Sequence, residues 1–235
     1  MKAEYLYHSG DDLCVVNAAK VSFDKMSEWE QELVTQSIDN DDLDSWEYFF
    51  MEEKLSKKDV GLVKYLAKHN HWTPFAHNSI TLRMKAPVPI RTQCFKHKAG
   101  FVENEESRRY ISSTPTLFIP DKLRQAPEGS IKQGSAGVHP WSEEWLVNYK
   151  KVCEDAIYMY EDAVEDGVCP EQARFMLPQG CEVQWIWTGN LAAYARFFNQ
   201  RTDTHAQKEV QDLATKVGKL IEPLFPISWK ALTQW

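Results

Sequence analysis

The sequence predicts an α+β fold dominated by helices, with a small mixed or antiparallel sheet. Three observations carry this expectation. Ser79 to Ala86 alternates cleanly, with Ile80, Leu82, Met84 and Ala86 on one side and Thr81, Arg83 and Lys85 on the other. That is the period-two pattern of a half-buried strand, stopped by Pro87 and Pro89. Trp141 to Val164 instead sets Trp145, Tyr149, Val152, Ala156, Tyr160 and Ala163 at helical spacing. No internal repeat or low-complexity tract interrupts the chain, and no internal linker divides it.

The remaining elements follow in order. Leu13 to Phe23 is a short apolar run compatible with either helix or strand. Glu28 to Lys68 reads as two or three helices, ending in Val60–Leu66 with its apolar residues on one face. The acidic run Asp39 to Glu53 reads as a solvated helix face. Ile90 to Lys98 resumes in helical style, with Ile90, Cys94 and His97 on a shared face and Gly100 as the stop. Polar residues follow from Glu103 to Arg109, then a short strand at Thr116 to Ile119 and a surface loop over 121–140. Gly167 ends the long helix, and a second begins after Cys169-Pro170, carrying Ala173, Arg174 and Leu177. Asn190 to Leu220 is helical with a break near Thr202-Asp203-Thr204, whose side chains suit a new N-cap; Pro223 and Pro226 end it.

Composition narrows the function. The chain has 235 residues, 43% apolar and 26% charged, which is ordinary for a globular enzyme. A net charge of −7 argues against a general nucleic-acid coat. Five cysteines, odd in number and without C-x-x-C spacing, suggest neither a disulfide framework nor a zinc knuckle. The N-terminal residues lack an apolar signal segment and no run is long enough to span a membrane, so a cytoplasmic location is expected.

Within this acidic chain, Arg91, Lys96, Lys98, Arg108 and Arg109 gather in one stretch. Gln93-Cys-Phe-Lys-His-Lys98 followed by Asn104-Glu-Glu-Ser-Arg-Arg-Tyr110 combines cations for an anion with polar groups for the edge of a heterocycle. Read from residue types alone, this is either a site for a phosphorylated small molecule or a salt-bridged helix-to-loop junction. His69, His71 and His77 also admit a metal cluster, though no carboxylate or thiolate stands near them in sequence.

The Lys-His-Lys triplet, the interval to Ser107 and the closing Arg-Arg-Tyr resemble the signature of flavin-dependent thymidylate synthases. Ala18–Phe23, His69–His77, Ala173–Pro178 and Arg201–Gln207 resemble further blocks of that family, in the same order. The likeness covers most of residues 13–232. It implies a single domain over residues 1–235, with an acidic helical insertion around 26–58 and the fold particular to the family.

It further implies an enzyme that methylates dUMP to dTMP. Methylenetetrahydrofolate would supply the carbon and FAD, reduced by NADPH, the hydride, with no enzyme nucleophile. Matching positions place Ser22, His71, Thr73, Lys96, His97, Lys98, Glu105, Asn190, Arg196 and His205 toward FAD. Gln93, Glu105, Ser107, Arg108, Arg109, Arg174 and Arg201 fall at dUMP positions. Ser107, Arg174 and His71 take the catalytic parts, Ser107 as an orienting hydroxyl. No metal is implied, and the expected partners are small molecules and further copies of the chain in a homotetramer, with no nucleic-acid polymer or membrane. The sequence departs from the family where lysines replace both arginines of the triplet, where Ala76 replaces a frequent Glu, and at Ala192 and Arg196. Two other readings stay open at this level: a metal-dependent nucleotide hydrolase using the histidines, and a non-catalytic nucleotide- or RNA-binding protein using the basic segment.

Overall fold

The computed structural model describes residues 1–38, 46–129 and 134–234. Four strands, β1 (Lys2–Ser9), β4 (Ser79–Pro87), β5 (Phe101–Glu105) and β6 (Glu182–Gly189), form an antiparallel sheet in the order β1-β4-β6-β5. β4 and β6 are central. Ile80, Leu82, Met84 and Ala86 of β4 are buried, as their alternation predicts, and meet Val183, Trp185 and Trp187 of β6. Thr81 faces the other way, and its hydroxyl meets that of Thr188 at 2.9 Å.

The covered face packs against helices. α7 (Lys208–Ile221) buries Val210, Leu213, Ala214, Val217 and Ile221, a stripe at helical spacing. α6 (Leu191–Arg201) inserts Tyr194 and Phe197 beside Trp187, with ring centroids 5.4 and 4.9 Å away. Tyr194 and Phe197 are therefore packing residues, and the Tyr194 hydroxyl donates to the Trp187 carbonyl at 2.8 Å. α1 (Asp12–Lys20), α2 (Lys57–Lys68) and α8 (Pro226–Thr233) close the core. The buried Asp12 carboxylate accepts the backbone N–H groups of Ile227 and Ser228, both at 2.8 Å, and so caps the start of α8 from a distant helix.

Several expectations change. The helical insertion around 26–58 is a β-hairpin, β2 (Glu30–Ile38) paired antiparallel with β3 (Trp46–Lys54). Its Glu content suits a helix, but Leu33, Val34 and Thr35 pair across strands with Met51, Phe50 and Phe49, a nonlocal arrangement that β-branched and aromatic residues favour. Of the acidic run, 39–45 lies outside the described residues and the rest is on β3.

The basic triplet is not helix-borne. α3 (Val88–Cys94) stops before it. Thr116–Ile119 forms only a single bridge, Leu117 to Cys181. α4 (Ser142–Glu165) buries Tyr160 as its stripe predicts, but Cys153 and Ile157 take the inner places expected of Val152 and Ala156, and Trp145 and Val152 are exposed. α5 (Pro170–Ala173) is a single turn, and Arg174 lies just beyond it. α7 starts after Gln207 without a side-chain cap, not at Thr202–Thr204. Leu13–Phe23 resolves as helix α1 and one short turn.

Candidate active site

α3 aims the basic segment. Proline at its first turn fixes the entry, and buried Ile90 and Cys94 hold one side against the core. The chain then turns, with the His97 N–H on the Cys94 carbonyl at 3.0 Å and the Phe101 N–H on the Lys98 carbonyl at 3.2 Å. Gly100 completes the turn at φ +83°, and a Cβ there would stand 2.8 Å from that of Ala193. Only glycine lets this turn lie against the start of α6, where Asn190 caps the helix through the Ala193 N–H at 2.9 Å.

Packing the turn on α6 brings Arg201 to the triplet. Its Nε donates to His97 Nε2 at 2.9 Å, and its Nη2 to the Gln93 carbonyl at 3.1 Å. Arginine has only donors to offer, so His97 Nε2 is unprotonated and the imidazole is neutral. Burial, with the charges of Arg201 and Arg196 adding to it, holds the His97 pKa down to about 4. Gln93 donates in turn to Gln207 at 2.6 Å.

A second grouping forms where β5 ends. Glu105, Ser107, Arg108 and Arg174 line one cleft of about 490 Å³, together with Arg91 and Cys181. Arg91 pairs with Glu105 at 3.2 Å. Burial raises the Glu105 pKa, and the Arg91 charge opposes that rise. Arg174 donates to the Glu171 carbonyl at 3.1 Å and is otherwise exposed. Arg108 is held by the Ser113 carbonyl, and the Ser107 carbonyl accepts the Tyr110 N–H at 3.0 Å, so the segment is a tight turn.

A third region is a groove of about 600 Å³ beside the start of α6, lined by Asn190, Ala192, Arg196, Trp72, Ala99 and Gly100, among others. Arg196 crosses it to the Ala99 carbonyl. The small side chains of Ala99, Ala192 and Ala195, with Gly100, leave a low floor, and Asn190 and Arg196 supply polar edges. A flat, phosphate-bearing cofactor such as a flavin dinucleotide fits this donor set. Lys98 is paired with Glu103, leaving Lys96 as the more available cation of the triplet.

Five expected site residues lie outside all three groupings. Ser22 is exposed on the turn after α1. His71 and Thr73 are exposed between α2 and β4, flanking Trp72. Arg109 lies over the Tyr110 ring, 4.9 Å from its centroid, and His205 pairs with Asp203 at 2.8 Å. The His69 and His71 rings stand 6.4 Å apart, but no group of three candidate metal ligands occurs among the described residues. Sequence reasoning counted Arg91 among the basic residues and quoted Gln207 without giving either a place. A larger cleft of about 730 Å³, between Phe118, Tyr149, Arg124 and Gln207, contains none of the residues expected at the site.

Guanidinium and carboxylate groups converging on small clefts from several chain segments describe an enzyme for anionic small molecules. The comparisons make the class definite. The family described as thymidylate synthase complementing protein matches residues 5–227, and the chain belongs to that family, the flavin-dependent thymidylate synthases. It is a methyltransferase enzyme. It is 30% identical over 227 residues to the flavin-dependent thymidylate synthase of Thermosipho africanus, covering 96% of this chain and 88% of that one. The Thermotoga neapolitana enzyme is likewise 30% identical over 226 residues. A solved structure of the UMP/dUMP methylase PolB from Streptomyces cacaoi, bound with 5-Br dUMP, superposes with a TM-score of 0.79 at 25% identity. It covers 100% of this chain and 95% of the other. Among the described residues no helix is long and apolar enough to cross a membrane.

Proposed function

We propose that this chain methylates dUMP to dTMP, taking carbon from methylenetetrahydrofolate and using FAD that NADPH reduces. The observation that carries the reading is the single cleft uniting Glu105, Ser107, Arg108 and Arg174 in a member of this family. A bound flavin would supply the reducing equivalents, held along the Asn190–Arg196 groove with Lys96 near its phosphates.

The chain's own groups do the rest. Arg174, exposed at the cleft, donates to a uracil carbonyl and favours the negative charge that develops on the ring when C6 is attacked and C5 becomes nucleophilic. Ser107 orients the ring by hydrogen bonding. Arg109 and Arg201 bind the nucleotide phosphate as planar forks. Neutral His97 keeps the Arg201 fork oriented by accepting from its Nε.

Neither Cys94 nor Cys181 is available as a thiolate to attack the ring. Burial pushes the Cys94 thiol up to about 12 and the Cys181 thiol to about 11, so both are protonated at neutral pH. Ser22, His71, Thr73, Arg109 and His205 act from outside the clefts of one chain, which suits sites completed between the subunits of a homotetramer. The chain acts as one domain with the hairpin as its insertion.

The test is direct. Purified protein supplied with FAD should turn yellow, oxidise NADPH faster with dUMP present, and form dTMP from methylenetetrahydrofolate. UMP is the informative competitor, since the PolB methylase takes both nucleotides by name. Protein that binds no flavin at saturating FAD refutes the reading.

A further inference from the structure

We propose that Gln207 is a positioning residue, the central link of a hydrogen-bonded relay that fixes the orientation of Arg201 from outside the nucleotide site. The proposal rests on the dUMP reading above and adds a role for residues to which that reading gives none.

The relay begins at an ion pair. Arg124 Nη2 donates to both carboxylate oxygens of Glu209, at 2.7 and 2.8 Å. Burial opposes ionisation of Glu209, but the bonds from Arg124 and Gln207 outweigh it and hold the carboxyl below its ordinary pKa. Glu209 therefore stays an acceptor, and Gln207 Nε2 donates to it at 2.9 Å. That leaves Gln207 Oε1 facing the other way, where it accepts from Gln93 Nε2 at 2.6 Å. Gln93 must then present Oε1 to Arg201, which it does at 3.5 Å from Nη1, while its carbonyl takes Nη2 at 3.1 Å. Arg201 closes the chain on His97 Nε2.

The polarity of this chain has only one solution. A carboxylate at one end cannot donate, and a guanidinium at the other cannot accept. Between them two amides must both point the same way. Remove the Gln207 amide and only the long 3.5 Å contact from Arg201 Nη1 opposes a flip of Gln93, which would set its NH2 against the Arg201 donors. A lysine at 201 would leave the relay with a point charge and no fork to orient. The relay also runs from the interior of the triplet to the wall of the large cleft, since Arg124, Gln207 and Glu209 all line it.

The role is one of aim, so its signature is selective. On FAD-loaded protein, Gln207→Met keeps the side-chain volume and removes both hydrogen bonds. Dissociation constants for dUMP should rise roughly three- to tenfold, as one or two net hydrogen bonds warrant. FAD affinity should stay within about twofold. Gln93→Met, at an expected dUMP position, should lose at least as much, and the double variant should be little worse than Gln93→Met alone, because both break the same chain. The His97 ring nitrogens should shift in long-range ¹H–¹⁵N spectra of ligand-free Gln207→Met. Additive losses in the double variant, or an unchanged dUMP affinity with an unmoved His97 spectrum, overturn the relay. Wild-type protein that binds no dUMP at all refutes the functional reading instead. The His97 spectrum then still decides the relay.

Discussion

Lowering the pH from about 8 to about 5 protonates His97 in the unfolded chain well before it does so in the folded one. The folded pKa lies near 4, against an ordinary value of 6.5, and the residue is only 7% exposed. A histidine whose folded pKa is depressed contributes its full stability above 6.5 and loses it as pH falls toward 4. At about pH 5 the unfolded imidazole is almost fully charged and the folded one almost fully neutral. The difference amounts to roughly 2 kcal/mol of lost stability. With a urea slope of about 3 kcal/mol/M, the midpoint should fall by about 0.7 M from this group alone. Asp12 and Glu105 have raised pKa values and act with the opposite sign, binding protons more readily when folded. The assay is therefore a difference between wild type and His97→Gln, whose amide oxygen can still accept from Arg201. The variant should show a pH-dependent midpoint shift smaller by about 0.7 M. Equal shifts in the two proteins would mean that His97 is not held neutral by its surroundings, and the tautomer argument at Arg201 would fail with it.

Arg201→Ala and Arg109→Ala should each weaken dUMP binding about ten- to a hundredfold, and FAD binding less, by calorimetry; equal losses would indicate damage to the fold. Cys94→Ala and Cys181→Ala should keep dTMP formation within about tenfold, and complete loss with normal ligand binding would reinstate a thiolate mechanism. Trp187→Ala should destabilise the chain by about 3–5 kcal/mol, read from denaturant midpoints, because Trp187 is buried and stacked on Phe101 at 4.1 Å. Replacing residues 31–53 by a two-residue turn should leave flavin uptake intact, since Glu30 and Lys54 are directly paired across the hairpin; lost uptake would place the hairpin in the site.

What the sequence disclosed depended on how local the signal was. β4 stood out because one face is buried and Arg83 on the other is exposed. β6 carries an equal alternation in Val183, Trp185 and Trp187, yet partly buried Ile186 and Thr188 on its other side blunt the contrast. β1 is an edge strand whose Tyr5 and Tyr7 remain exposed, so no hydrophobic pattern marks it. The hairpin misled because its Glu residues suit a helix, while its pairing is fixed by partners on another strand. The expected site residues were legible as ordered motifs, and the fold gathers four of them, Glu105, Ser107, Arg108 and Arg174, in one cleft. The contacts that orient them were not. Gln93 meets Gln207 across 114 positions, and Arg124 meets Glu209 across 85, distances over which a linear pattern carries no sign.

The carboxylate of Asp12 has a consequence for the order in which the molecule assembles. It holds the Ile227 and Ser228 amides, 215 and 216 positions further along. Contacts so remote in sequence contribute only after the intervening chain has closed, so they are expected late in folding. A bond absent from the rate-limiting barrier governs how slowly the native state is left, not how quickly it is reached. Asp12→Ala should accordingly speed unfolding with little change in the refolding rate. By that argument the bond between α1 and α8 acts as a latch: it sets the lifetime of the folded enzyme and leaves the pace of its formation to the sheet and the helices that pack on it.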